Sequence, residues 1–380
     1  MYPKKISVAE SVGKGHPDKI CDQISDAILD EILKQDKNAR VAIETMASNR
    51  LIIIGGEIST TGYVDLVKIA WEILFEIGYN ENDFTIISNV NRQSSEIARL
   101  VNHKTGTIGA GDQGIIYGFA TNECSNFMPL AQNLANYLVK KAEKLRKKGE
   151  FLFALADMKS QVEIHYDLNS KAKIKSMLMS VQHQANFNRD NFTSFVIDKI
   201  MIPAAKKYNL NLDFEKKVNH SGDFTIGGPI GDTGLTGRKI IIDSYGDAAK
   251  HGGGAYSGKD YTKVDRSGAY IARWIAKNLV AAKIADEIEI QFSYVIGNEY
   301  PELINLTYLK NPKFPTEKII EIVKNTFDLR LAHLIFELGL QEPIYRNLAV
   351  YGHFGRDDLD LPWEKLNYVE KIQNYLNNVI

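Results

Sequence analysis

Cysteine is nearly absent from this chain: Cys21 and Cys124 are the only two in 380 residues. Two distant thiols build neither a disulfide framework nor a metal site, and such scarcity suggests a reducing cytosol. Long apolar runs are missing too. No stretch of about 18 apolar residues occurs, and the opening MYPKKISVAESVGKGHPDK has no apolar signal core, so a cytoplasmic protein with no membrane segment is expected. Excess charge is the third absence, since the net formal charge is -1. That excludes a bulk electrostatic attraction to nucleic acid or to an acidic membrane, and any anionic ligand must be met by a local patch. What remains is ordinary globular composition, 44% hydrophobic and 24% charged, on a chain long enough for two or three domains.

Hydrophobic periodicity places the elements. A short strand is predicted at Ile6–Ala9, then a helix from Pro17 to about Lys34, with Pro17 at its first position and Ile20, Ile24, Ile28 and Ile32 forming an apolar face. Val41–Ser48 and Leu51–Ser59 read as a hairpin, Tyr63–Tyr79 as an amphipathic helix and Phe84–Val90 as a strand. Asn91–Gly114 has no period and reads as a long loop. The order then recurs: a strand at Ile115–Thr121, a helix at Pro129–Lys148, a hairpin at Gln161–Tyr166 and Lys173–Gln182, a helix at Asp190–Tyr208. A third round gives a strand at Lys239–Asp243, a helix at Asp265–Ala285, a hairpin at Glu287–Gly297 and Leu303–Leu309, and a helix at Pro315–Phe327. Three rounds of strand, helix, hairpin and helix predict three similar α+β domains with mixed or antiparallel sheets. Their expected spans are 1–98, 107–226 and 227–380, with 91–107 as a loop.

The chemistry gathers in Gly231–Gly268, which holds nine of the 28 glycines together with Asp232, Arg238, Lys239, Lys259, Lys263 and Asp265. Glycine lets backbone approach a ligand, Lys and Arg attract phosphate, and Asp holds a hard cation. Two motif matches fail on context. GAGDQG (Gly109–Gly114) fits a dinucleotide fingerprint but precedes a strand rather than a helix. Gly253–Lys259 spells most of a P-loop, yet Asp260 stands where the Mg²⁺-binding hydroxyl belongs. GHPDK (Gly15–Lys19) puts an imidazole, a carboxylate and an ammonium at a helix N-terminus, which suits an anion or simple capping. Glu44 and Glu57 lie on the first hairpin, facing water or a cleft.

GHPDK, GAGDQG, DMKSQV (Asp157–Val162), IGGPIGDTGLTGRKIIIDSYG and HGGGAYSGKDYTKVDRS, in this order, resemble the S-adenosylmethionine synthase family, from Ser7 to about Trp363. The resemblance implies three α+β domains around a pseudo-threefold axis, and a homodimer or a tetramer built as a dimer of dimers with active sites shared between subunits. It implies that L-methionine, ATP and water become S-adenosylmethionine, phosphate and diphosphate. Carried over by motif, His16 would contact ATP near the C5′ oxygen, and Asp157, Lys159, Phe224 and the backbone of Ala255 would contact the nucleotide. Asp232 would meet both substrates. Arg238, Lys239 and Lys259 would hold the polyphosphate, and Lys263 would lie between phosphate and methionine. Two Mg²⁺ per site are implied, with Asp18 and Asp265 as ligands, and one K⁺ at Glu44; Glu57 and Gln93 would serve methionine. The sequence departs from the family pattern twice: QSSEI (Gln93–Ile97) replaces QSPDI in the active-site loop, and Asp223 replaces the Arg usually found before Phe224. A homologue of this fold that binds nucleotide without turnover would be free to lose His16, Asp18, Lys159, Arg238, Lys239, Lys259 or Asp265, and all are present.

Overall fold

The computed structural model describes residues 5–92 and 109–379. The first third contains β1 (Lys5–Val12), α1 (Pro17–Leu33), the hairpin of β2 (Arg40–Ser48) and β3 (Leu51–Ser59), α2 (Leu66–Ile77) and β4 (Thr85–Asn91). Next come β5 (Gly114–Thr121), α3 (Leu130–Lys147), the hairpin of β6 (Ala154–Tyr166) and β7 (Ala172–His183), α4 (Arg189–Val196), a π turn (Ile197–Met201), α5 (Ile202–Lys207) and β8 (Glu215–Val218). The last third has β9 (Gly234–Leu235), α6 (Ile240–Asp243), α7 (Val264–Ala281), the hairpin of β10 (Glu287–Tyr294) and β11 (Leu303–Lys310), and helices α8 (Thr316–Thr326), α9 (Leu331–Glu337) and α10 (Val369–Val379).

The architecture is three α+β units, two with mixed sheets and one with an antiparallel sheet, but each unit lends a strand to another. The sheets run β1-β6-β7-β8, β11-β10-β5 and β4-β3-β2-β9. So β1 joins the second hairpin, β5 the third, and β9 returns to the first. Ala9 faces Val162, Phe119 faces Glu289, and Met46 faces Leu235, all in antiparallel register. The exchange closes a ring that local periodicity could not show, because every borrowed strand pairs with residues far away in sequence.

One strand expectation is overturned. Lys239–Asp243 reads as a strand because RKIIID sets three isoleucines in a row, yet Ile240–Asp243 is a single helical turn. The turn buries Ile242 and brings the Asp243 carboxylate onto the buried Lys19 ammonium. Tertiary pairing overrides β propensity here. The third unit's strand is the short β9 instead.

Two apolar clusters form the core. The larger joins α1, α2, β2, β3, α7 and β10; the smaller packs α3 on β6 and β7 with α4 and α5. Every residue of α1 except Glu31 is buried. Close approach fixes two glycines at its N-terminal end: a Cβ on Gly15 would lie 2.5 Å from Ala156, and one on Gly234 would lie 2.2 Å from the Pro17 carbonyl carbon.

Candidate active site

A cleft of about 700 Å³ opens between β1, β6 and the segment from Asp232 to Asp247, at the start of α1. His16, Asp18, Lys159, Asp232, Arg238 and Lys239 line it. The sequence builds it by pinning GHPDK onto β6: Gly13 N donates to Met158 O at 2.8 Å and Gly15 N to Ala156 O at 3.1 Å. His16 then caps α1, its Nδ1 accepting from Asp18 N at 3.2 Å. Burial, and then the nearby Lys239 charge, push the imidazole down to about 3. The ring is therefore neutral at physiological pH, and with Nδ1 accepting, the proton sits on Nε2 as a donor.

Asp18 is almost fully buried. Burial alone would raise its pKa, but the hydrogen bonds from Lys239 Nζ and Leu235 N hold it below the usual carboxylate range. Arg238 Nη1 approaches the same carboxylate at 3.9 Å. Asp157 lies below Lys159 on β6; its Oδ2 accepts Gly228 N at 2.9 Å, while Oδ1 is buried without a partner among the described residues. Burial pushes this carboxyl up to about 6, against the pull of Gly228 N and Lys159.

Only the first half of the glycine-rich stretch, from Asp232 to Asp247, walls this cleft. Both halves of the stretch dock on the free edge of β2. Leu235 pairs with Met46, and Lys259 bridges to Ala42, with Ile43 N donating to Gly258 O at 3.0 Å. Lys259 pairs with Asp265 at 2.6 Å and Lys263 with Asp260. Neither Lys259, Lys263 nor Asp265 lines the cleft. Ala255 sits between the two halves, since a Cβ on Gly237 would meet its methyl at 2.5 Å.

Glu44 and Glu57 are exposed on the outer face of the first hairpin, where Glu44 faces Gly55 and Glu57 faces Ala42. Around them Met46, Leu51, Ile53 and, on β4, Ile87 are exposed as well. Phe224 is half-buried, its backbone N–H donating to His183 Nε2 at 3.0 Å, and Asp223 has Arg189 at 3.8 Å. Neither Phe224 nor Asp157 lines the cleft. Gln93 and the QSSEI segment lie outside the described residues.

Sequence reading missed a ladder on α1. Asp18, Asp22, Asp26 and Asp30 recur every four residues, and each takes backbone N–H groups from the last third of the chain. The donors are Leu235 to Asp18 (3.0 Å), Gly237 to Asp22 (2.9 Å), Gly258 to Asp26 (2.8 Å), and Tyr345 (2.9 Å) and Arg346 (2.8 Å) to Asp30. The signal was present as the four-residue spacing of Asp. Asp247 was missed too; it lines the cleft and holds β1 through Ser7 Oγ and Val8 N, each at 2.8 Å. Among the described residues, no group of three or more His, Cys, Asp or Glu gathers as a metal cage.

Known proteins match this chain over nearly its whole length. Sequence profiles of S-adenosylmethionine synthetase match in three pieces: the N-terminal domain over residues 4–104, the central domain over 107–224 and the C-terminal domain over 226–365. The S-adenosylmethionine synthase of Mycoplasmopsis pulmonis is 58% identical over 98% of this chain and 99% of its own length. That of Mesoplasma florum is 50% identical over 97% of this chain and 100% of its own, and that of Clostridium botulinum 45% over 98% and 100%. With this identity spanning all three interlocked units, the chain belongs to the S-adenosylmethionine synthase family.

Proposed function

We propose that the cleft around His16 is where this methionine adenosyltransferase carries out its family's reaction, in which L-methionine, ATP and water give S-adenosyl-L-methionine, phosphate and diphosphate. The observation that carries the placement is a neutral imidazole beside a cation-rich wall. A thioether needs no base to become a nucleophile, so the burden falls on the leaving C5′ oxygen and the polyphosphate behind it. The His16 Nε2–H donor is assigned to that oxygen. Lys159, Arg238 and Lys239 are assigned to the polyphosphate, where preorganised charge lowers the barrier. Asp232 would orient both substrates, and a near-attack geometry of sulfur and C5′ contributes further. Asp157, Phe224 and Ala255 would contact the nucleotide.

The isolated carboxylates suit a Mg²⁺ held by one or two protein oxygens plus substrate phosphates rather than by a protein cage. Asp18 and Asp265 would be those oxygens, and Lys239 and Lys259 already hold the two carboxylates in place. Mg²⁺, when bound, offsets polyphosphate charge. Two Mg²⁺ per site, and one K⁺ at Glu44, are part of the proposal.

Lys259, Lys263, Glu44 and Glu57 stand apart from the His16 cleft, and the exposed apolar face around the glutamates favours a second copy as its cover. We infer a homodimer, or a tetramer as a dimer of dimers, in which these residues and Gln93 complete a partner's cleft. The proposed domain spans stay 1–98, 107–226 and 227–380, with 91–107 as the active-site loop. Among the described residues no helix is long and apolar enough to cross a membrane, and a cytoplasmic location is proposed.

Incubation with ATP, methionine, Mg²⁺ and K⁺ should yield S-adenosylmethionine with phosphate and diphosphate in equal amounts. Absence of product after an hour at high enzyme would sink this reading. Mixing a His16→Ala chain with a Lys259→Ala chain tests the shared site: hybrid dimers should regain one working cleft, and no recovery argues against sharing.

A further inference from the structure

Lys14 and His16 are two residues apart but line different cavities. His16 faces the catalytic cleft, whereas Lys14 lines a separate cavity of about 250 Å³ between α1, α2, α3 and the segment Arg346–Leu359. Four cations line this second cavity: Lys14, Lys140, Arg346 and Arg356. Only two carboxylates accompany them on its wall, and both are already engaged. Glu76 takes Arg346 Nη2 at 2.6 Å; Asp358 takes Lys140 at 2.7 Å and Arg356 Nη2 at 2.9 Å. Lys14 has no ion pair and no side-chain hydrogen bond among the described residues. Two positive charges are left over. Burial, then Lys147 and Arg346, hold the Lys14 ammonium below its ordinary range against the opposing pull of Glu76 and Glu143.

A second observation is independent of the charges. Tyr351 lines the same cavity, is 7% exposed, and its hydroxyl is buried without any hydrogen-bond partner among the described residues. Its backbone stands at φ 69°, a left-handed conformation that a bulky side chain rarely adopts. An orphan hydroxyl and an unpaired ammonium on one small cavity are two unmet demands for the same kind of ligand. The buried hydroxyl costs free energy while unsatisfied, the half-buried Lys14 ammonium has no protein partner among the described residues, and a single acceptor-rich anion would answer both.

We propose that this cavity is a second binding site, for a free tetrahedral oxyanion of the orthophosphate class, held by Lys14 with Tyr351 Oη and the Arg346 guanidinium. Its size favours an inorganic ion, since pockets for organic ligands run to roughly 300–1,000 Å³. The site bears on the catalytic cleft through the chain itself. Lys14 lies between Gly13 and Gly15, both pinned to β6, and its carbonyl takes Gln23 Nε2 at 2.8 Å. An anion drawing on the Lys14 side chain therefore acts on the loop that aims His16.

Tungstate is the probe. Crystals of the full-length enzyme grown with it should show an anomalous tungsten peak within hydrogen-bond distance of Lys14 Nζ and Tyr351 Oη, besides peaks in the catalytic cleft. In Lys14→Met the cavity peak should be lost while those in the cleft remain; Arg346→Gln provides the same test if that variant fails to crystallise. Excess orthophosphate should erase the cavity peak from wild-type crystals. A cleft filled with tungstate beside an empty cavity overturns the proposal, as does a cavity peak that survives Lys14→Met.

Discussion

The two long faces of α1 are equally buried and do opposite work. On one, Ile20, Ile24, Ile28 and Ile32 are each at most 1% exposed and meet the apolar core. On the other, Asp18, Asp22, Asp26 and Asp30 are at most 6% exposed and meet backbone N–H groups and cations. The isoleucine face is non-directional: it favours burial without dictating which backbone lies opposite. The aspartate face is directional, because each carboxylate accepts specific donors at set distances. The first makes α1 a core helix. The second registers the glycine-rich stretch, and through Asp18 the cleft around His16, against that helix.

The sharpest way to break this comparison is Asp26→Ala. Arg266 bonds both Asp26 oxygens, at 2.7 and 2.8 Å, and would be left as a buried unpaired charge. A loss of about 3–5 kcal/mol is expected in urea unfolding. A loss below about 1.5 kcal/mol, the range of a single-methyl core truncation, would mean that the aspartate face is merely packed. Next is Asp18→Asn, where activity should bear the effect. A fall in kcat/KM of about a hundredfold or more is expected, with a smaller change in stability. Equal losses in both measurements would make Asp18 a structural residue like its neighbours on the ladder.

Asp30 sharpens the comparison through pH. Burial raises its carboxyl to about 6, against its backbone donors Arg346 N and Tyr345 N. The folded state therefore holds this proton more tightly than the unfolded chain, whose carboxyl titrates near 4. The contribution to stability is fully present below about pH 4 and is lost as pH rises through 6, with a size of order 1–3 kcal/mol. Asp30→Asn should gain stability relative to wild type between pH 4.5 and 7.5. The opposite slope would show that the backbone donors win over burial. Ile28→Val is the mildest test: about 0.5–1.5 kcal/mol in stability, with kcat and KM unchanged per folded molecule.

The sequence made one of these faces legible and obscured the other. Isoleucine every four residues after Pro17 gave α1 to within a residue of its observed end. Asp18 was read as a carboxylate at a helix N-terminus and an implied Mg²⁺ ligand, but the four-residue spacing of the aspartates was passed over, because a carboxylate on a helix ordinarily faces water and the partners here lie near Leu235, Gly258 and Tyr345. Local pattern likewise found all three hairpins but not which strand each would borrow. RKIIID misled for the same reason: Lys19, which draws Asp243 inward, is invisible to a window around residue 240. The motifs recovered His16, Asp18, Lys159, Asp232, Arg238 and Lys239 as residues of one cleft. They did not reveal that Lys259 and Asp265 stand away from it, since motif order carries no information about which wall, or which subunit, a residue serves.

The ring of borrowed strands also governs how the chain comes into being. On a ribosome, β1 emerges first and has no partner until β6 follows; β5 waits for β10; and the open edge of β2 waits for Gly234 and Leu235. The first two units are thus born with strand edges uncovered, and the first waits longest, whereas the third meets partners already made. Pairings this distant make for slow folding and long exposure of sticky edges. A nascent chain stopped at residue 226 would hold β1 in place but leave the β2 edge and the aspartate face of α1 without most of their partners. Such fragments should aggregate rather than persist as domains, and completion of the last third should act as the clasp that makes the first two durable.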